Sequence, residues 1–136
     1  MKERALENSE VTDPRWRDVA RSMALAVVYD AVFAVAILFF TAPASRLLRL
    51  ALPDDLVYLR FNGVFLLMLA GMYALPAMRP RRYQGIVGVA VVGRFAGFVY
   101  LGGVWYGGGA ATFLGLALAD LFFSVLHAVL LFRARS

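Results

Sequence analysis

Four long apolar runs dominate this sequence, at about residues 22–42, 58–77, 85–106 and 110–132. Each run holds roughly 20 residues, which is the length a helix needs to cross the hydrocarbon core of a bilayer. Backbone groups in lipid must satisfy their hydrogen bonds internally, so a segment of this length can span the membrane only as a helix. The sequence therefore predicts an all-α, polytopic membrane protein with four transmembrane helices in a bundle.

The composition supports a membrane location and excludes several kinds of site. Hydrophobic residues make up 62% of the 136 residues and charged residues 17%, against about 25% charged in soluble domains. The absence of cysteine removes disulfides, thiolate metal sites and cysteine nucleophiles. The net charge is +5, but most basic residues flank the apolar runs. We therefore expect membrane lipid headgroups, and no nucleic acid, as the anionic partner.

The N-terminal segment, residues 1–21, mixes both charge signs and predicts a cytoplasmic tail or an interfacial helix. A helix start is expected at Asp13, with Pro14 in the first turn and Trp16 at headgroup depth. The alternative of a signal peptide is rejected, because the following apolar run is too long and contains Asp30. The first predicted domain boundary therefore precedes residue 22.

The connection between the first two spans has its own pattern. Leucines alternate there with Arg46 and Arg49, and the pattern stops at Pro53. This spacing predicts a short amphipathic helix on the membrane surface. The transmembrane domain is expected to cover residues 22–132, and residues 133–136 form a predicted cytoplasmic C-terminal tail.

The distribution of positive charge predicts the orientation. Ten Lys and Arg residues lie in the two tails and in the connection between spans two and three, whereas three lie on the other side. By the positive-inside rule, both termini face the cytoplasm and the protein is a multi-pass protein of the cytoplasmic (inner) membrane. Arg79, Arg81 and Arg82 are interpreted either as a topology signal or as a binding site for anionic lipid headgroups.

Three charged residues lie inside the predicted spans: Asp30, Arg94 and Asp120. Each unpaired charge near a helix centre costs about 2.5 to 3.5 kcal/mol on insertion scales. Counted from the membrane surface, the three lie within about one helical turn of the same depth. We therefore predict that Arg94 forms ion pairs with Asp30, Asp120 or both. Gly93 and Gly97 are expected to let a neighbouring helix approach Arg94 closely.

The fourth span also carries a polar stripe. Asp120, Ser124 and His127 follow each other at offsets of four and three, so they share one helix face. With polar residues of the other spans they predict a pocket for a ligand or a proton, lined by Asp30, Asn62, Tyr73, Arg94, Asp120, Ser124 and His127. A structural ion-pair network that fixes the helix register is the alternative interpretation.

No catalytic set is predicted from these residues. Ser124 and His127 are three apart on one helix and are poorly placed for proton transfer to each other. A single histidine without cysteine also predicts no metal or haem site.

Several stretches suggest a family. They are "YD" in the first span, "LRFNGVFLLMLAGMY" in the second, "RPRRYQGIVGVAVVGRFAGFVY" leading through the third and "LADLFFSVLHAVLLF" in the fourth. On these stretches, from Tyr29 onward, the chain resembles the small bacterial four-helix proteins grouped as DoxX-like, most of which have no defined activity. The resemblance implies a four-helix bundle and an accessory role in quinone-linked or redox-stress complexes. The missing cysteine pair is a departure that puts thiol redox chemistry in doubt.

Two functions from different classes follow from this reading. The first is a non-catalytic accessory protein that binds a lipid, a quinone or a partner membrane protein, with no other cofactor. The second is a small proton-coupled transporter acting as a homo-oligomer, because two aspartates and one arginine leave one carboxylate in excess. A substitution of aspartate by asparagine would separate the two.

Overall fold

The computed structural model describes residues 13–136, and over this range the chain forms five α-helices and no strand. Four of them correspond to the predicted spans, with 26, 22, 23 and 25 residues, and each is apolar enough to cross a membrane. At 1.5 Å per residue even the shortest is about 33 Å long, which exceeds a hydrocarbon core of about 30 Å. The all-α four-helix bundle is therefore confirmed. In chain order, the helices are α1 (Pro14–Phe39), α2 (Thr41–Leu48), α3 (Val57–Met78), α4 (Gln84–Tyr106) and α5 (Ala111–Arg135).

Helix α1 begins where the sequence predicts a helix start. The Asp13 side chain accepts a hydrogen bond of 2.9 Å from the Arg15 amide, and Pro14 occupies the first turn. The helix then runs without a break into the first span, so no boundary separates an interfacial helix from it. Trp16 is buried between the helices near this end of the bundle, and its location at headgroup depth stays a prediction. Residues 1–12 of the predicted tail lie outside the described residues.

Helix α2 is the short helix predicted between the first two spans. It follows α1 after a single residue, and the Thr41 hydroxyl donates to the Ile37 carbonyl at 2.6 Å across this bend. It ends earlier than the leucine pattern indicates, because Arg49 adopts a left-handed conformation with φ of 53°. The Thr112 hydroxyl donates to the Leu48 carbonyl and so ties the end of α2 to the start of α5.

The four long helices pack as two close pairs, α1 with α3 and α4 with α5. The pairs meet mainly where α1 lies against α5, and less extensively where α3 lies against α4. Most buried positions of α1 are separated by alternating steps of three and four residues, the spacing of helix bundles. This series consists of Trp16, Val19, Met23, Ala26 and Asp30, and two further residues of α1, Ser22 and Ala34, are also buried.

The outward faces of the long helices are strongly apolar. Val32, Phe65, Val92 and Phe122, one on each long helix, are among many large hydrophobic residues that are exposed on the bundle surface. A soluble protein rarely leaves so much apolar surface without a cover. This surface fits contact with lipid, as the length and composition of the four helices indicate for an integral membrane protein.

Candidate functional site

The centre of the bundle is organised by Arg94 on α4. Its guanidinium donates one hydrogen bond to Asp30 on α1 at 2.6 Å and another, from the second terminal nitrogen, to Asp120 on α5 at 2.8 Å. The side chains of Asp30, Arg94 and Asp120 are only 1%, 9% and 15% exposed. The predicted ion pairs are therefore present, and both carboxylates bind the same cation.

Three aromatic rings lie close to the guanidinium. The central carbon of the Arg94 guanidinium lies 5.1 Å from the ring centre of Phe123, 5.3 Å from Tyr29 and 5.8 Å from Tyr73. These distances lie within the range of cation–π attraction. Since Tyr73 belongs to α3, Arg94 contacts all three of the other long helices. One side chain therefore connects the whole four-helix bundle.

A glycine makes room for this centre. A Cβ atom added at Gly97 would collide with the Asp120 carboxylate, whereas one added at Gly93 would meet open space. The predicted close approach of a neighbouring helix therefore occurs at Gly97 and not at Gly93. The α4–α5 pair can bring Asp120 close to Arg94 because position 97 has no side chain.

The polar stripe of α5 reaches three different partners. Asp120 binds Arg94, and the Ser124 hydroxyl donates to the Val91 carbonyl of α4 at 2.9 Å. The Nδ1 atom of His127 lies 3.2 Å from the Ser22 hydroxyl. Ser22 gives its own hydrogen to the Val19 carbonyl, so His127 must donate in this contact. Ser124 and His127 thus bind different groups and do not form a nucleophile–base pair with each other.

The structure brings together most, but not all, of the predicted pocket. Asp30, Tyr73, Arg94 and Asp120 meet directly, and Ser124 and His127 follow along α5. Asn62 was expected to line the pocket, and this expectation is wrong, because the residue lies on an exposed face of α3. The neighbouring Gly63 packs against the side chains of Ile37 and Leu38, and successive helical residues point about 100° apart.

Two buried side-chain atoms of this centre have no hydrogen-bond partner within residues 13–136. They are Oδ2 of Asp30 and Nε2 of His127, and both are buried. The formal charge of the Asp30, Arg94 and Asp120 cluster is −1 when both carboxylates are ionised. The cluster therefore has the composition of a centre that can take up one proton.

The arginines between α3 and α4 lie at the end of the bundle that holds the described start of α1. The guanidinium of Arg81 lies 5.9 Å from the Trp16 ring centre, and that of Arg82 lies 5.8 Å from the Tyr83 ring centre. Arg79, Arg81 and Arg82 are all exposed at the surface. Their assignment as a lipid headgroup site stays a prediction.

A separate apolar groove of about 590 Å³ opens on the outer side of α1, within the volume range of small-molecule sites. One wall consists of Ala31, Val32, Val35 and Ala36 of α1. The opposite wall is formed by the bend after α1 and by α2, with Phe40, Pro43, Ala44 and Leu47. The groove lies on the outward side of α1, because its wall residues Val32 and Val35 are exposed, whereas Asp30 and Ala34 are buried.

Sequence reasoning missed this groove, along with Phe123 and Ser22. Ser22 could have been found, because it lies near Asp30 on the buried face of α1. Phe123 is one of many aromatic residues in apolar surroundings, and its sequence context carries no signal. The groove depends on the angle between α1 and α2, which no residue pattern encodes.

No protein-family model matches the chain, and comparisons with curated proteins and with solved structures also give no match. The resemblance to DoxX-like proteins therefore stays a prediction.

Proposed function

We propose that this protein is a non-catalytic membrane protein whose groove between α1 and α2 binds the hydrocarbon chain of a lipid or quinone. The observation that carries the proposal is the groove itself, about 590 Å³ with eight apolar residues along its walls. The charged centre supports it indirectly. Arg94 binds two carboxylates and contacts three aromatic rings within the protein, which favours a role in holding the helices together.

The membrane placement belongs to the same proposal. The even number of candidate spanning helices supports a placement in which the start of α1 and the end of α5 lie on one side of the membrane and α2 lies on the other. The excess of Lys and Arg on the side of the termini supports a cytoplasmic location for that side. The groove then opens in the leaflet of the inner membrane that faces away from the cytoplasm.

A groove-filling substitution tests the proposal. We expect Ala36→Trp to fill the space between α1 and α2 and to remove the lipid or quinone that co-purifies with the protein. Native mass spectrometry of the detergent-extracted protein measures this ligand. Ala96→Trp is the matched control, because Ala96 lies on an exposed face of α4 away from the groove. Equal retention of lipid and quinone in both variants would contradict the proposal.

A second candidate, a small proton-coupled transporter acting as an oligomer, is favoured by the excess carboxylate. Oδ2 of Asp30 is buried and has no partner among the described residues, so it offers a place for a proton. Purified protein in vesicles that contain a pH-sensitive dye would test for proton uptake under an applied membrane potential. We expect Asp30→Asn to abolish any uptake while the fold persists. Absence of uptake by the unsubstituted protein would eliminate this candidate.

A further inference from the structure

Two arginines lie next to the groove in the sequence, Arg46 within α2 and Arg49 at the C-terminal end of α2. Arg46 directly precedes Leu47, which lines the groove, and Arg49 follows two residues later. Both residues are exposed. Within the described part of the chain, neither guanidinium has a hydrogen-bond or ion-pair partner. Two unpaired cations thus stand beside an apolar groove.

The dimensions of the groove match one leaflet of a bilayer. The first residue of α1 that lines the groove is Ala31, and Phe40 lines it at the bend nine residues later. At 1.5 Å per residue this distance is about 14 Å, close to half of a hydrocarbon core of about 30 Å. A chain in the groove would therefore end at the depth of the headgroups. That is the level of α2 and its two arginines.

We infer that the groove holds an acyl chain of an anionic phospholipid whose phosphate binds Arg46 and Arg49. This inference rests on the proposed function and adds the headgroup class to it. A quinone ring carries no anionic group, so the two arginines favour a phospholipid. Arginine is well suited to phosphate, because its planar fork donates two parallel hydrogen bonds.

Two local features oppose an anion here, the carbonyl end of α2 and the aspartates Asp54 and Asp55. The carbonyl end of a helix carries roughly half a negative elementary charge, whereas Arg46 and Arg49 supply two full positive charges. Asp54 and Asp55 follow on the same side of the membrane, but Asp55 accepts a hydrogen bond of 2.8 Å from the Val57 amide. No ion pair joins either aspartate to the two arginines among residues 13–136.

The position of α2 is also fixed, as a binding site requires. One end of the helix is held by the hydrogen bond from Thr41 to the Ile37 carbonyl. The other end is held by the hydrogen bond from Thr112 to the Leu48 carbonyl. The two walls of the groove are therefore presented in a defined arrangement before a lipid arrives.

The test compares bound lipids after extraction of the full chain from membranes of mixed phosphatidylglycerol and phosphatidylcholine. We expect Arg46→Gln combined with Arg49→Gln to lower the preference for phosphatidylglycerol by about 30-fold. Each basic residue near an anionic surface contributes about 1 kcal/mol, and 1.4 kcal/mol corresponds to tenfold. Total bound lipid should stay unchanged, because the groove is intact. Arg46→Lys combined with Arg49→Lys keeps both charges and should retain most of the preference.

Two further variants separate the possible failures. Arg17→Gln combined with Arg133→Gln removes the same charge at the opposite end, from two exposed arginines outside the Arg79, Arg81 and Arg82 cluster, and should leave the preference unchanged. A loss of preference there, with none in the Arg46 and Arg49 variant, overturns the headgroup assignment. If Ala36→Trp releases lipid but the Arg46 and Arg49 variant keeps its preference, the headgroup inference fails and the groove function stands. If Ala36→Trp releases no lipid, the groove function and this inference fail together.

Discussion

Replacing Arg94 with glutamine would leave the buried carboxylate of Asp30 and the partly buried one of Asp120 without the cation that they share. The formal charge of the centre would change from −1 to −2, in a place where the Asp30 side chain is only 1% exposed. Replacing Asp30 with asparagine has a different result. The charge becomes zero, Arg94 keeps its ion pair with Asp120, and the asparagine amide oxygen can still accept a hydrogen bond.

The expected magnitudes differ accordingly. Removing one partner of a buried ion pair costs about 3 to 5 kcal/mol. Two carboxylates joined through one guanidinium are roughly 6 Å apart, and their repulsion at an effective dielectric constant of 20 adds up to about 3 kcal/mol. Exchanging a charged for a neutral hydrogen-bond acceptor costs about 1 kcal/mol. Arg94→Gln should therefore lower the free energy of unfolding by at least about 2 kcal/mol more than Asp30→Asn.

Unfolding in mixed micelles with increasing fractions of dodecyl sulfate would measure this difference, followed by helical circular dichroism and by the fluorescence of the two tryptophans, of which Trp16 is buried. Arg60→Gln is the control, because Arg60 is an exposed arginine on α3. It removes the same charge and should change the stability by less than about 0.5 kcal/mol. The reasoning would be refuted if Arg94→Gln were no less stable than Asp30→Asn, or if the control lost as much stability.

Two other predictions concern the packing and the topology. Gly97→Ala should destabilise the bundle, because its Cβ would collide with the Asp120 carboxylate. Gly93→Ala meets open space and should be neutral or raise the stability by up to about 1 kcal/mol through helix propensity. The same unfolding assay measures both variants, and an equal effect would count against the close approach at position 97. Cysteines introduced at Gly108 and Ser136 should react with an impermeant reagent from outside and from inside the cell, respectively, and labelling of position 136 in sealed cells would contradict the orientation.

The charged centre could be predicted from the sequence because it depends on depth and cost. Chain position fixes the depth of Asp30, Arg94 and Asp120 in their helices. The desolvation penalty then forces charges at one depth to meet, whatever the details of packing. The spacing of Asp120, Ser124 and His127 likewise fixes one face of α5, and all three side chains make contacts with other helices.

The error at Asn62 shows where such reasoning stops. Asn62 and Tyr73 are eleven residues apart, which places them within about 20° of each other on an isolated helix. In the bundle Tyr73 is buried and Asn62 is exposed. The inward face of a straight helix drifts by about 20° per heptad relative to its neighbours. At the end of α3 that holds Asn62, the contact of Gly63 with α1 decides which residue faces inward.

The sequence by itself determined the four spanning helices, the short helix between the first two, and the pairing of Arg94 with at least one of two aspartates. Each of these follows from properties of single segments, namely apolar length, residue spacing and the cost of a charge in lipid. Only the tertiary structure decided that Phe123 covers the guanidinium, that His127 meets Ser22, and that a groove opens between α1 and α2. These features depend on the rotation and tilt of helices relative to one another. Rotation and tilt are set by side-chain packing across the whole bundle, because small and large residues of several helices must fit together at once.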